Sequence, residues 1–579
     1  MGQILANRGV KDIEGFFNIG WDCVQSPYDL DYAKNAAERI IKAMREDEKT
    51  AMLVDVDVDG FSSSSLLTNY LNQQMKEYGS FPESKMEIIH IFHKKKTHGL
   101  GDTEVMRRLR DEIKPTLLII PDASGTAEQY QALVELGIDI VVMDHHDTKE
   151  RGDGAKVIVV NNQQSDKYQN KALSGVGVTW QVCRIMDDML PFCCADQYLD
   201  LVALGLISDV MDMRSPETRF LTLEGMKPEN MHSPLTVMAP EMFKDYERLT
   251  QHFVGWTLGP AINAITRIGT EEENKLGFGC LIDENMDKMV VNNKRGATGN
   301  IEFVREAWRI VTNAKGRQDR RRNKLTDMIE SVIADESLVD NKVIVLAIDD
   351  FEEEYRALSG VVANQLIEVY QRPVIIAFLN EDGDYAGSVR APGHVEGWEN
   401  FKDMCNESGA CKYALGHQLA FGICIYGDAV QDFVDYFNDK FANIDVEPKH
   451  NVDFVFEADD PRIPDLCFDI DACGDIWGSG LEMPRIAITN VKVGPGTLAL
   501  FGKLPTRKTL NIDLPNGVRA IKFGSSQEEF QSLCLPYEET PQYYKVNIVG
   551  TVGINRYQGR ETPQIMIEDY EVMGVFYEF

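Results

Sequence analysis

The chain has 579 residues, 44% hydrophobic and 26% charged, with a formal net charge of −33. That length exceeds one ordinary core and implies three or four domains. The acid excess excludes a protein that grips nucleic acid over its whole surface. No apolar run approaches the roughly 18 residues of a membrane span. Met1-Gly2-Gln3-Ile4-Leu5-Ala6 lacks the basic and apolar regions of a secretion signal, so a cytoplasmic protein is expected. The eleven cysteines are scattered with no Cys-x-x-Cys, which favours reduced thiols over a zinc knuckle or disulfide framework.

Taken in order, residues 1–50 form a helical preface. It has an amphipathic piece at 12–17 and helical spacing of Ala33, Ala37, Ile40, Ile41 and Met44 over 29–45. Residues 51–210 alternate two periods. Strands are predicted at 51–56, 87–92, 116–121, 139–143 and 157–160, with helices such as 63–78 and 103–113 between them. That rhythm predicts a parallel sheet with helices on both faces. Residues 172–290 read as mainly helical. One long helix is expected over 286–335, interrupted at Gly296, Gly299 and Gly316 and carrying Arg305, Arg309, Lys315, Arg317, Arg320, Arg321, Arg322 and Lys324, the densest positive charge in the chain. Residues 342–445 form a second α/β unit, with strands at 342–348 and 373–379 and a helix at 359–370. From 446 to 579 short alternating runs recur (485–493, 497–501, 508–513, 519–523, 544–552, 564–568). They predict a small barrel or sandwich.

The sharpest chemical signal is Asp55-Val56-Asp57-Val58-Asp59-Gly60, directly after the apolar run Ala51–Val54. Alternate residues of a strand share a face, so an extended segment would bring the three carboxylates together. Like charges in one place need a cation; a solvated acidic turn is the competing reading. Three later apolar segments also end on ligand-type residues. Ile119-Ile120-Pro121 leads to Asp122, Ile140–Met143 to Asp144-His145-His146, and Leu201–Ser208 to Asp209. Four such segments point to a divalent-metal site. Carboxylates and imidazoles without thiolates suit Mn²⁺ or Mg²⁺.

With these pieces in view, the chain resembles the DHH/DHHA1 phosphoesterases, and within them the RecJ-type single-strand exonucleases. Asn7-Arg8-Gly9 is similar to the family's N-terminal motif. Asp55 to Gly60 resembles motif I, Asp122 motif II, Asp144-His145-His146 motif III and Asp209 motif IV. Asn161–Gln164 and Ser174–Val178 resemble the stretch after the third motif, and Asn263 and Arg267 the Asn-Ala-x-x-Arg helix. Gly387-Ser388-Val389-Arg390 and Gly416-His417 resemble the two DHHA1 signatures. Three segments depart from the pattern. Motif II reads Asp122-Ala123-Ser124-Gly125, one residue longer than Asp-x-Gly. The loop expected to hold Pro-x-Arg before Gly-Tyr-Gly reads His93-Lys94-Lys95-Lys96-Thr97-His98-Gly99-Leu100-Gly101. The usual Gly-Gly-His is Leu415-Gly416-His417. These departures bear on substrate contacts more than on metal ligands.

The resemblance implies an α/β fold: a parallel-sheet DHH domain with its helical preface (1–285), a long linker helix (286–335), a smaller α/β DHHA1 domain (336–445) and a C-terminal OB-fold β-barrel (446–579). It implies two Mn²⁺ or Mg²⁺ ions. Asp57 and Asp122 hold one, with Asp55 reaching it or acting behind it; Asp59, Asp122, His145 and Asp209 hold the other. Asp144 orients a ligand histidine, and His146, Asn263, Arg267, Ser388, Arg390 and His417 meet substrate phosphate. Lys94, Lys95, Lys96, Arg320, Arg321, Arg322 and Tyr557 are the candidates for nucleic-acid contact. The implied activity is 5′→3′ hydrolysis of single-stranded DNA to mononucleotides in repair, recombination or replication, with a single-strand-binding protein as expected partner in a bacterial or phage-infected cell. Two alternatives stay open: a phosphodiesterase for short oligonucleotides or cyclic dinucleotides, and a non-catalytic replisome or repair scaffold. The retained ligands argue against the scaffold.

Overall fold

A computed structural model describes residues 1–93, 99–243, 249–393, 397–416, 418–443, 450–502, 508–534, 542–557 and 559–577. It divides into two compact units. The first comprises Met1–Gly259, Leu281–Met286 and His450–Phe579; the second comprises Pro260–Cys280 and Asp287–Lys449.

In the first unit, β1 (Lys49–Val54), β2 (Glu87–Phe92), β3 (Leu117–Pro121), β4 (Asp139–Asp144) and β5 (Val157–Asn161) form a parallel sheet in the order β2-β1-β3-β4-β5. The near-continuous apolar runs follow from burial on both faces. Ala51, Leu53, Leu118, Ile120, Ile140 and Val142 pack into one cluster with Leu109, Tyr130 and Leu133. Four helices matter for the site: α1 (Ala33–Arg45), α2 (Val58–Met75), α3 (Gly175–Met189) and α4 (Leu199–Ser208). The chain leaves β1 for β2 on one side and returns to β3 on the other. The topological switch of the sheet therefore falls between the carboxyl ends of β1 and β3, where α/β folds place ligands.

Three sequence expectations are corrected here. The first strand ends at Val54, not Val56, and helix α2 begins at Val58, so Asp55, Asp57 and Asp59 do not alternate along a strand. Asp57 caps the helix, and an N-cap carboxylate ends a strand as readily as it starts a helix. The predicted helix 103–113 is a helical turn, Thr103–Arg107, running into a π turn, Arg108–Ile113.

In the second unit a short antiparallel hairpin, β6 (Met289–Val291) with β7 (Asn300–Glu302), occupies the start of the predicted linker helix. Gly296 and Gly299, both at positive φ, lie in its connection. This is the third correction: the helix starts only at Phe303. There α6 (Phe303–Asp335) runs unbroken through Gly316. Then β8 (Ile344–Ile348), β9 (Val374–Leu379), β10 (Tyr385–Arg390), β11 (Cys411–Gly416) and β12 (Ala420–Ile425) make a mixed sheet in the order β11-β12-β10-β9-β8. One face packs on Leu325, Ile329 and Ile333 of α6 and on Val362 and Leu366 of α7 (Ser359–Tyr370). The other packs on Trp398, Phe401, Phe433 and Phe437.

The C-terminal part of the first unit is a seven-stranded sheet: β13 (Phe454–Glu457), β14 (Arg485–Val493), β15 (Leu498–Phe501), β16 (Lys508–Asp513), β17 (Arg519–Ser525), β18 (Gln542–Tyr557) and β19 (Arg560–Tyr577). Its order is β13-β14-β18-β19-β17-β16-β15. Its core contains Ile463 and Ile470 and takes in Ile4, Leu5 and Phe16 from the N-terminal helices. Arg219 joins these parts: it lies over the Phe16 ring and donates to the carbonyls of Met213 and Phe16. Among the described residues no helix is long and apolar enough to cross a membrane.

Candidate metal centre

The centre is built at the switch point. Asp55 is the first residue past β1. Asp57 caps α2, its Oδ1 accepting from Gly60 N at 2.9 Å. Position 60 is glycine because a Cβ there would stand 2.5 Å from that of Asp55. Asp59, in the first turn of α2, is buried and held by the start of α3. Its Oδ2 accepts from Gly175 N at 2.7 Å, and its Oδ1 from Ser174 Oγ at 3.0 Å and Val176 N at 3.3 Å. Exposed amides at a helix start suit a carboxylate. This gives the Ser174-Gly175-Val176 stretch its chemical meaning.

Asp122 follows β3 at φ 62°, a left-handed conformation that aspartate tolerates better than most residues. Its amide donates to Met143 O at 2.7 Å. Asp144 ends β4 and collects four donors: His145 N (2.8 Å), His146 N (3.2 Å), His146 Nδ1 (2.7 Å) and Ser124 Oγ. It therefore fixes the ring of His146 and the backbone of both histidines. Asp209 caps the C-terminus of α4, which is a helix where the other three segments are strands. The chain then turns through Val210 at φ 59°, with Val210 N bonded to Ile207 O and Met211 N to Leu206 O. That is the six-residue closure usually made with glycine.

These elements converge. His145 Nε2 lies 3.3 Å from Asp122 Oδ1, 3.3 Å from Asp209 Oδ2 and 3.9 Å from Asp59 Oδ2. Ligand atoms of Asp55, Asp57 and Asp122 lie within 4.8 Å of one another, as do those of Asp59, His145 and Asp209. Asp122 touches both groups. Burial, and next the neighbouring carboxylates, push Asp57 up to about 7, Asp209 up to about 8 and Asp122 well above the carboxylate range. For Asp144 burial acts upward, but the His146 hydrogen bond and charge outweigh it and hold the group at about 2. For His146 burial acts downward, and Asp144 overcomes it to raise the ring to about 9.

A divalent ion fits this set. Asp122 Oδ1 is buried and receives no hydrogen bond from any described residue. Among the described residues, the basic side chains that reach these carboxylates are imidazoles. The donors are oxygen and nitrogen without sulfur, the set that suits Mg²⁺ and Mn²⁺.

His93 belongs to this centre and escaped the sequence reading, which treated it as part of a substrate loop. Its Nε2 contacts Asp55 Oδ1 and lies 3.2 Å from Val56 N. The signal lies in the strand register: β1 and β2 pair with Val54 opposite Phe92, so the next residues, Asp55 and His93, emerge side by side.

The other candidates lie elsewhere. Asn263 and Arg267 are on α5 (Gly259–Ile268). Ser388 and Arg390 are on β10 of the second unit, Ser388 Oγ lying 2.8 Å from Ser359 Oγ at the start of α7. Burial, then the charge of Arg267, lower the Arg390 pKa, and a Cβ on Gly360 would come within 2.8 Å of Arg390 Nη2. Two guanidiniums and a helix N-terminus thus share one region of the second unit, an arrangement that favours an anion. His417, Lys94, Lys95 and Lys96 lie outside the described residues.

The basic face of α6 carries less free charge than its sequence promised. Arg309 pairs with Glu306, Lys315 and Arg322 with Asp319, Arg317 with Glu273 and Lys324 with Glu352. Arg320 and Arg321 lie on the same helix. Tyr557 is exposed at the end of β18, whereas its neighbour Arg556 is bound to Asp471 and Glu561.

Known proteins resemble this chain over nearly its whole length. Residues 49–206 match the model of the DHH family, N-terminal domain, and residues 464–569 that of the RecJ OB domain. The chain is 31% identical over 592 residues to the SPbeta prophage-derived single-strand DNA-specific exonuclease YorK of Bacillus subtilis (strain 168), covering 99% of this chain and 96% of that one. It is 25% identical to the single-stranded-DNA-specific exonuclease RecJ of the same organism, covering 99% and 68%. The crystal structure of RecJ in complex with Mn²⁺ from Thermus thermophilus matches the fold with a TM-score of 0.69 at 18% identity, over 98% of this chain and 75% of that one. The chain belongs to the DHH family, in its RecJ-like branch.

Proposed function

We propose that this protein hydrolyses phosphodiester bonds of single-stranded DNA with the aid of two Mn²⁺ or Mg²⁺ ions, acting 5′→3′ and releasing mononucleotides. The observation that carries this reading is the convergence of Asp55, Asp57, Asp59, Asp122, His145 and Asp209 around the buried, unbonded Asp122 Oδ1. Asp57 and Asp122, with Asp55, would hold one ion; Asp59, Asp122, His145 and Asp209 would hold the other. Ions held there supply Lewis acidity at the scissile phosphate. The chain's own residues do the rest. Asp144 fixes the His146 ring through Nδ1, which leaves Nε2–H to donate to a phosphate oxygen. The raised His146 pKa keeps that donor charged at neutral pH. Arg267, Ser388 and Arg390, with Asn263 and His417, bind substrate phosphate in the second unit; arginine is suited to this by its paired donors.

The C-terminal strands, 446–579, bind the single strand, with Tyr557, Lys94–Lys96 and Arg320–Arg322 as further contacts. The reading places the protein in the cytoplasm, with a single-strand-binding protein as a partner in repair, recombination or replication. The relatives named as single-strand-specific exonucleases support the substrate class. A second reading, a phosphodiesterase for short oligonucleotides or cyclic dinucleotides, is favoured by the ion pairing along α6 and the −33 charge.

One substrate panel tests both: end-labelled DNA and RNA strands and a dinucleotide, each with Mn²⁺ or Mg²⁺, using the native chain and Asp122→Ala. Mononucleotide release from the 5′ end of DNA, abolished in Asp122→Ala, is expected. Cleavage confined to the dinucleotide transfers the assignment to the second reading. Full activity of Asp122→Ala overturns the site.

A further inference from the structure

We infer that Trp256, on a turn packed against the end of the helix that carries Asp209, forms a stacking platform for a nucleobase of the substrate near that proposed metal ligand. The inference rests on the single-strand nuclease reading and adds a base-binding subsite to it.

The helical turn Gln251–Phe253 does not continue as an α-helix. It widens into a π turn over Val254–Leu258, a conformation that recurs at functional sites. Phe253, Val254 and Leu258 are buried, yet Trp256 between them is 75% exposed. The buried Phe253, Val254 and Leu258 anchor this turn to the core, while Trp256 is left outside it. The same turn lies against the end of α4: a Cβ on Gly255 would sit 3.7 Å from Ile207 Cγ2, and one on Gly259 3.0 Å from Ser208 Oγ. The next residue of that helix end is Asp209, whose carboxylate is 3.3 Å from His145 Nε2.

Val210 follows. It is 65% exposed and holds φ 59°, which a β-branched residue rarely adopts. Val210 and Trp256 are thus both largely in solvent, one next to Asp209 in the chain and the other on the turn packed against the same helix end. His252, one turn before Trp256, adds a second ring, its centroid 6.0 Å away at 31°. Burial lowers its pKa.

The charge of the chain says what this surface is for. With a net charge of −33, and with the basic residues of α6 largely ion-paired, long-range attraction does not draw a polyanion here. Stacking does not depend on net charge and tolerates any sequence, because every base has a π face. A strand whose phosphate lies at Asp209 has its adjoining base within reach of this platform.

The test compares the full chain with Trp256→Ala and Trp256→Phe on oligothymidylate and on the same oligonucleotide with abasic positions at its 5′ end. Trp256→Ala is expected to raise KM for oligothymidylate about 10- to 100-fold, with much less effect on kcat. Trp256→Phe should recover most of the loss. The abasic penalty seen in the native chain should vanish in Trp256→Ala. Binding to the Asp122→Ala chain should quench tryptophan fluorescence, and adding Trp256→Phe should remove that quench. An abasic penalty of equal size in the native chain and Trp256→Ala, or a Trp256→Phe as poor as Trp256→Ala, overturns the platform. If the native chain neither binds nor cleaves the oligonucleotide, the nuclease reading falls and takes the platform with it. If the native chain cleaves it and Trp256→Ala does so with the same KM, only the platform falls.

Discussion

His93 closes on Asp55, the two side chains emerging together from the carboxyl ends of the paired strands β2 and β1. Both are nearly buried, with side-chain exposures of 4% and 7%. An imidazole holding a ligand carboxylate fixes its direction, and removing such a support typically costs 10–100-fold in metal affinity. His93→Ala should therefore weaken Mn²⁺ binding by about that factor in calorimetry, and His93→Gln, whose amide can still contact Asp55, by less. Identical Mn²⁺ isotherms for His93→Ala and the native chain would leave His93 as packing only.

Proton linkage follows from the same carboxylates. Burial and mutual repulsion raise Asp57 to about 7 and Asp209 to about 8, from an ordinary value of 3.8. For a raised acid the stability contribution is complete below the ordinary carboxylate pKa. It is lost as pH climbs through the folded-state value. The metal-free protein should then lose thermal stability as pH rises from about 4 to about 8. Divalent metal binds the ionised forms, so its affinity should rise across the same interval and its binding should release protons. Calorimetry in two buffers of different ionisation enthalpy measures that release; equal apparent enthalpies in both would contradict it.

Much of the centre was legible because β-strands of a parallel sheet deliver their last residues to one edge. Asp122 and Asp144 could be placed from apolar runs alone. The role of Asp57 and Asp59 was misjudged in geometry though not in place. An Asp-x-Asp alternation fits a strand and a helix N-cap equally well, and only the position of Gly60 and the length of α2 decide between them. His93 was missed because its partner is set by strand register, which a single sequence does not display. The charge on α6 was overestimated for a similar reason: Glu273 and Glu352, which bind Arg317 and Lys324, lie 44 and 28 residues away in the chain.

Gly175 makes one of the tightest approaches in the site. A Cβ there would stand 2.3 Å from Asp122 Oδ1 and 2.5 Å from Asp122 Cβ, while Gly175 N holds Asp59. Either Asp122 or the start of α3 must move in Gly175→Ala, and both are tied to ligands. Displacements of about 1 Å at a catalytic centre cost on the order of 100-fold. Nuclease activity in saturating Mn²⁺ should fall by about that factor while circular dichroism stays native. Undiminished activity would mean that the approach relaxes freely.

Val210 carries the remaining prediction, and its sign is opposite. The residue closes the end of α4 in the left-handed region, where a β-branched side chain is strained and glycine is at ease. Its side chain is mostly in solvent, so removing it forfeits little buried apolar surface. Relief of such strain is worth about 1 kcal/mol or more, partly offset by the freedom glycine gains in the unfolded chain. Val210→Gly should accordingly unfold at a higher temperature than the native chain, by a degree or more, in a melt at fixed metal concentration. It should also raise KM for oligothymidylate, since it strips one wall from the surface beside Asp209. A gain in stability with unchanged KM would separate the strained turn from substrate binding, and a loss of stability would show that the valine side chain packs more than its exposure implies.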